Sequence, residues 1–225
     1  MSRRKQSKGE CGFCGKEMTK GGLSRHLKSC KQRQEAVNAA KTGQKQRLLH
    51  LQVQDAWSPG FWLHLEMNGQ AKLQDLDRYL RAIWLECCGH LSQFSVGGWS
   101  GREISMSRKL ETVLQPGVEL THIYDFGTSS ETLVKAVDVR EGRPLTKHPV
   151  YLMARNNMPE AVCEECGEAA GWLCMECLIE FSEWATFCDK HAKEHPHDDY
   201  GEPTPLVNSP RLGMCGYYGP ADPPY

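Results

Sequence analysis

An α+β fold, an antiparallel sheet with a packed helix as its core and small cysteine-rich modules on its flanks, follows from three features of the sequence. Between Leu48 and Asn157 several stretches alternate apolar and polar residues, the period of a half-buried strand. Among them KLQDLDRYLRAIWLECC puts Leu73, Leu76, Leu80, Ile83, Trp84 and Cys87 on one helical face. Outside that region, cysteine and histidine crowd into residues 11–30 and 163–197. At 225 residues the chain suits one medium domain with appendages better than two equal domains.

Taken in order, residues 1–30 form a basic Cys/His unit, and residues 31–47, polar and rich in helix formers, an exposed helix or linker. Residues 48–157 form the α+β core. LLHLQVQDAW and GFWLHLEM make two strands around the break Ser58-Pro59-Gly60. The helix of residues 72–88 comes next, then strands in HLSQFSV, VELTHIYDF, ETLVKAVDVRE and PVYLMARN. Residues 158–200 are a second Cys/His module. Residues 201–225, full of Pro and Gly, are an irregular wrap or a disordered end.

Net charge is −1, but its distribution is uneven. Residues 1–50 hold 13 Lys/Arg against 3 Glu, which leaves the remainder strongly acidic. Such a basic arm fits a polyanion, and a disordered solvated tail is the plainer reading. No apolar run is long enough to cross a bilayer, and the basic start has no hydrophobic segment behind it. A soluble cytoplasmic protein is expected, in a compartment where its eleven cysteines stay reduced. Metal ligation is then their leading use.

Cys11, Cys14, His26 and Cys30 form C-x2-C-x11-H-x3-C. The first pair fits a tight knuckle, and His26 and Cys30, four apart, share one helical face, so the set closes a tetrahedron around a structural zinc ion. Met18 and Leu23 supply a small core. The unit resembles CCHC and C2H2-like fingers. In their DNA-reading members the base-contacting positions would fall near Thr19, Gly22 and Arg25, of which Arg25 is the good base reader. Phosphate contact is expected from Arg3, Arg4, Lys5, Lys8, Lys16, Lys20, Arg25, Lys28 and Lys31. The partner is a nucleic acid, DNA in preference to RNA; protein contact is the alternative.

The second module reads C-x2-C-x7-C-x2-C-x10-C-x2-H-x3-H-x-H, with candidate ligands Cys163, Cys166, Cys174, Cys177, Cys188, His191, His195 and His197. A redox C-x-x-C stands alone near a βαβ pattern, whereas repeated pairs followed by Cys and His suit two four-coordinate ions, three zinc ions in all. The series resembles a B-box or related cross-brace module. That resemblance implies one ion on Cys163, Cys166, Cys188 and His191 and another on Cys174, Cys177, His195 and His197. Asp198 or Asp199 is open as a replacement for His197, and a single ion on the four cysteines of the two C-x-x-C pairs is the rival. Residues 163–202 hold 11 Asp/Glu and 2 Lys, so a protein partner suits this module and a nucleic acid does not.

In the middle region, Phe61-Trp62, the helix ending before Gly89, His90-Leu91-x-x-Phe94 and above all Tyr124-Asp125-Phe126-Gly127 carry a likeness. The region resembles the plasmid pRiA-type ORF-three-like family, TnpR-like passenger proteins of insertion elements. The resemblance implies an α+β fold and association with mobile elements, without an established reaction. Thr128-Ser129-Ser130-Glu131 depart from the acidic residue and Trp or His that usually follow.

His90, His122, Asp125 and Glu131 are the acid–base candidates, against a reading of His90 as a strand residue and Asp125 as turn chemistry. No residue is assigned as catalytic. Cys87, Cys88 and Cys215 are expected as small buried hydrophobes, and Trp57, Trp62, Trp84 and Trp99 as core aromatics. SPRLGMCGYYG in the tail has no reading of its own. The whole reads as a zinc-binding adaptor that acts by recognition without turnover; an enzyme of mobile-element processing using His90 and Asp125, or a protein-only interaction module, are the alternatives.

Overall fold

The computed structural model describes residues 6–86, 88–197, 199–214 and 219–225. Its centre is a nine-stranded, wholly antiparallel sheet. The strands are β1 (Lys8–Cys11), β2 (Glu17–Thr19), β3 (Gln46–Asp55), β4 (Trp62–Asn68), β5 (Ser92–Val96), β6 (Arg102–Ile104), β7 (Glu119–Tyr124), β8 (Ser130–Gly142) and β9 (Val150–Asn156), in the order β2-β1-β9-β4-β3-β8-β7-β5-β6. The helices are α1 (Lys20–Ser29), α2 (Lys31–Ala39), α3 (Leu73–Ile83), α4 (Leu110–Val113), α5 (Met175–Glu180) and α6 (Asp189–Glu194). A second sheet joins β11 (Thr186–Phe187), β10 (Trp172–Leu173) and β12 (Thr204–Pro205) in that order.

The central sheet is covered on both faces around β3 and β4. Leu49, Leu51 and Val53 of β3 and Leu63, Leu65 and Met67 of β4 pack with Leu73, Leu76, Leu80 and Ile83 of α3 and Leu110 of α4. The intervening residues point the other way. Trp62 there meets Leu23 and Leu27 of α1, together with Met153 and Ala154 of β9. Glu66, on the same face, is gripped by Arg140 through two bonds of 2.9 and 2.6 Å and by Arg33 of α2 at 3.0 Å. Because both faces are covered, the polar residues that alternate with the apolar ones, His50, His64 and Glu66, are buried as well.

The N-terminal Cys/His unit is thereby built into the sheet. β1 pairs with β9 at Gly9↔Asn156 and Cys11↔Ala154. A Cβ on Gly9 would come within 2.0 Å of the Arg155 carbonyl oxygen and 2.6 Å of the Trp62 ring, so only glycine permits this approach.

Four local expectations are corrected. α3 stops at Ile83 rather than running to residue 88, because Leu85 turns left-handed at φ 61° and the Glu86 amide bonds back to the Arg81 carbonyl. His90 and Leu91 precede β5 instead of lying in it, and Leu91 is exposed. Trp62 and Trp84 are core, whereas Trp57 and Trp99 are 71% and 45% exposed. Cys88 is exposed, not buried; Cys87 and Cys215 lie outside the described residues.

The tail is a wrap. β12 joins the second module, and Leu206, Val207 and Leu212 pack with Leu173, Met175 and Leu178. Beyond it, Ser209 bonds the Trp84 carbonyl at 2.9 Å and Tyr225 stacks on His148. Arg211, 2% exposed, reaches Asp125 at 2.7 Å and the Thr128 carbonyl at 3.0 Å, with its guanidinium over the Tyr124 ring. SPRLGMCGYYG thus supplies a cation to the Tyr124-Asp125-Phe126-Gly127 turn.

Candidate metal centres

Both knuckles have the same backbone. In the first, the Gly15 amide donates to the Cys11 carbonyl at 2.8 Å and the Cys11 amide to the Lys16 carbonyl at 3.1 Å. In the second, Gly167 and Cys163 repeat this, toward the Cys163 and Glu168 carbonyls, at 2.8 and 2.7 Å. Gly15 and Gly167 both have positive φ, 69° and 73°. The shared string is C-x-x-C-G, and its glycine allows the turn that aims two sulfurs at one point.

The remaining ligands arrive from helices and their caps, except His197, which lies two residues beyond the cap of α6. α1 is capped by Thr19, whose hydroxyl accepts from the Gly22 amide; the helix buries Leu23 and Leu27 and delivers His26 and, at its C-terminal cap, Cys30. Cys174 caps α5, which carries Cys177, while Cys188 caps α6, which carries His191 and ends at His195. Phe187 lies against the His195 ring and Phe181 stacks on that of His197.

Three groups of four converge: Cys11, Cys14, His26 and Cys30; Cys163, Cys166, Cys188 and His191; Cys174, Cys177, His195 and His197. Within each group the ligand atoms lie within 4.8 Å of one another. A tetrahedral ion with thiolates at about 2.3 Å and imidazoles at about 2.0 Å sets sulfurs roughly 3.8 Å apart, sulfur and nitrogen about 3.5 Å, and two nitrogens about 3.3 Å. The structure has Cys11–Cys30 at 4.0 Å, Cys166–Cys188 at 3.9 Å, Cys14–His26 at 3.2 Å, Cys163–His191 at 3.3 Å, Cys177–His195 at 3.4 Å and His195–His197 at 3.0 Å. The donor sets fit a four-coordinate metal ion. The two C-x-x-C pairs of the second module go to different groups, and His197 rather than Asp199 completes the last; Asp198 lies outside the described residues.

Crowded thiols cannot all ionise unaided. Burial first, and then the neighbouring sulfurs, push Cys11 and Cys177 each up to about 11. Cys163 goes the other way: burial opposes it, but the amides of Cys188, Cys166 and Glu165 and the His191 ring bring it down to about 6. A divalent cation would stabilise every thiolate in such a group together.

No family model matches the chain, and no curated protein matches it. Among solved structures, a protein of unknown function from Methanosarcina mazei Go1 is similar with a TM-score of 0.40 and 19% identity, over 54% of this chain and 75% of that one.

The basic candidates divide. Lys8, Lys16, Arg25, Lys28 and Lys31 are exposed, and Lys20 is half-buried, its amine lowered by burial. Lys8 pairs with Glu17 at 3.2 Å and Lys28 with Asp138 at 3.5 Å. Arg3, Arg4 and Lys5 lie outside the described residues. Thr19 is occupied as the helix cap and Gly22 offers no side chain, so of the three positions expected to meet bases Arg25 alone presents an exposed polar side chain.

The acid–base candidates do not converge. His90 approaches Asp125 at 3.7 Å, but Glu131 bonds Trp99 instead. His122 is fully buried and pairs with Asp77 at 2.8 Å, with Glu86 at 3.9 Å from its other nitrogen. Opposite Glu131 in the ladder stands Ile123, so Glu131 faces away from His122. Sequence reading missed Asp77, Glu86 and Arg211; only the Asp77–Arg81 spacing of four marked any of them.

Among the described residues no helix is long and apolar enough to cross a membrane.

Proposed function

We propose that the protein is a zinc-stabilised adaptor that binds nucleic acid, DNA in preference to RNA, through the exposed side of α1 and the start of α2. Zinc is the ion that suits the donor sets, three thiolates with one imidazole twice and two with two once, all spaced for a tetrahedron. Protein groups occupy all four positions in each set, so the ions would serve as cross-links, with no vacancy for a substrate. The observation that carries the nucleic-acid reading is the placement of Arg25, Lys28 and Lys31. They are exposed, while Leu23 and Leu27 turn the opposite side of α1 into the sheet. A rigidly held helix with a basic outer side suits phosphate contact, and Arg25 suits base contact. The likeness of residues 48–157 to insertion-element passenger proteins supports mobile DNA as the setting.

Deleting residues 1–47 would not test this, since it would bare Trp62 and strip Arg33 from Glu66. Charge reversal is cleaner. Arg25→Glu with Lys31→Glu, in the zinc-loaded chain, should weaken binding of a labelled DNA duplex about tenfold or more and lower the salt slope by about 2. Fluorescence anisotropy between 50 and 200 mM salt reads both quantities, with single-stranded RNA as the comparison. Equal binding by parent and variant sinks the reading.

A further inference from the structure

Residues 179–184, IEFSEW, form an uninterrupted exposed run at the end of α5. Ile179, Phe181 and Trp184 are 50%, 56% and 52% exposed, and Tyr200 is 44% exposed. The loop is firmly held. The Phe181 and Glu183 amides both donate to the Cys177 carbonyl, at 3.2 and 3.0 Å, and Ser182 takes φ 57°. Phe181 stacks on His197, and the Tyr200 hydroxyl donates to Glu180. The loop is thus tied to Cys177 and His197, two members of the Cys174, Cys177, His195 and His197 group.

Carboxylates lie in and beside this run. Glu176, Glu180, Glu183 and Asp199 lie within it or beside it, in a module with 11 Asp/Glu against 2 Lys. Aromatic side chains held in a pre-ordered loop are the usual anchors of a protein interface, and the surrounding charge selects the sign of the partner. The basic N-terminal part of a second copy has the opposite charge, but among its described residues no large apolar side chain is exposed, Leu23 and Leu27 being buried.

We propose that Ile179, Phe181 and Trp184, ringed by Glu176, Glu180 and Glu183, form a docking surface for a basic amphipathic helix of another protein. Apolar residues of that helix, at spacings of three and four, cover the exposed side chains while its lysines and arginines meet the carboxylates. The surface is independent of the α1 basic side, so either can fail alone.

The test uses the full zinc-loaded chain and labelled peptides of about 18 residues, with Leu at helical spacing and Lys elsewhere. Controls replace every Leu by Ser, or every Lys by Glu. Anisotropy should show saturable binding of the Leu/Lys peptide, at least about tenfold weaker for either control. Ile179→Ser with Trp184→Ser should weaken it by a similar factor, as should Glu180→Gln with Glu183→Gln, with metal content unchanged. Should the double serine variant lose metal, Ile179→Ser alone carries the apolar arm. Equal binding by parent and variants, or by the Ser/Lys peptide, overturns the proposal. A concentration-dependent dimer abolished by Trp184→Ser also overturns it, because the occupant would then be a second copy.

Discussion

His50 and His64 show how one carbonyl fixes a chain of protons. The Lys20 carbonyl at the start of α1 can only accept, so His64 must donate to it through Nε2, at 3.0 Å. The other nitrogen of a neutral His64 then accepts from His50 Nε2–H at 2.9 Å. Burial is the first cause that lowers both rings, His50 to about 2 and His64 to about 4, with neighbouring cations adding to it. Unfolded, both would titrate near 6.5. Above that pH neither state is charged and nothing is lost. Below it the unfolded chain takes up protons that the folded one refuses, so stability falls with pH from about 6.5 to 4, by about 1.4 kcal/mol per pH unit for each histidine. Urea midpoints of the metal-loaded chain between pH 7 and 5 should show this slope, and His50→Gln with His64→Gln should flatten it. A parent slope no steeper than that of the variant would count against the relay.

At the scale of elements, β1 depends on what is absent from Gly9. Gly9→Ala would press a methyl group into the Arg155 carbonyl and the Trp62 ring. A loss of about 1–3 kcal/mol, the range for overpacking, is expected in the urea midpoint. Strands β3, β4 and β7 to β9 and the helix α3 were legible because Leu, Val and Ile recur at the period of each element. β1 was not, since KGEC carries no apolar alternation and its partner β9 is remote in sequence. α4 and β6 are four and three residues long, too short for a period to show. The ligand residues were legible from their spacing, and the division of the second module's eight into two sets from its likeness to a cross-brace module. Arg211 was hidden, because nothing within the tail indicates that a buried Asp125 awaits its charge.

At the scale of the molecule, the three ligand groups are unequal in what they support. Cys11 and Cys30 share a cluster with Trp62, Met153 and Ala154 of the central sheet, whereas Cys163, Cys174 and Cys177 pack with Ala185, Phe187 and Ala192 inside their own module. Cys30→Ser should therefore cost one metal ion and also loosen β4 and β9. Cys166→Ser should cost one ion and leave those strands intact. Elemental analysis with hydrogen exchange of the Trp62 and Ala154 amides separates the two, and equal loss of protection would contradict the division. The pairing of β1 with β9 also has a history in time. Strand partners about 150 residues apart form a long-range contact, and at about 5–20 residues per second a ribosome needs on the order of ten seconds to deliver the second after the first. The nascent N-terminal unit must wait that long for the edge it will join, and an ion captured early by Cys11, Cys14, His26 and Cys30 would hold it folded in the meantime.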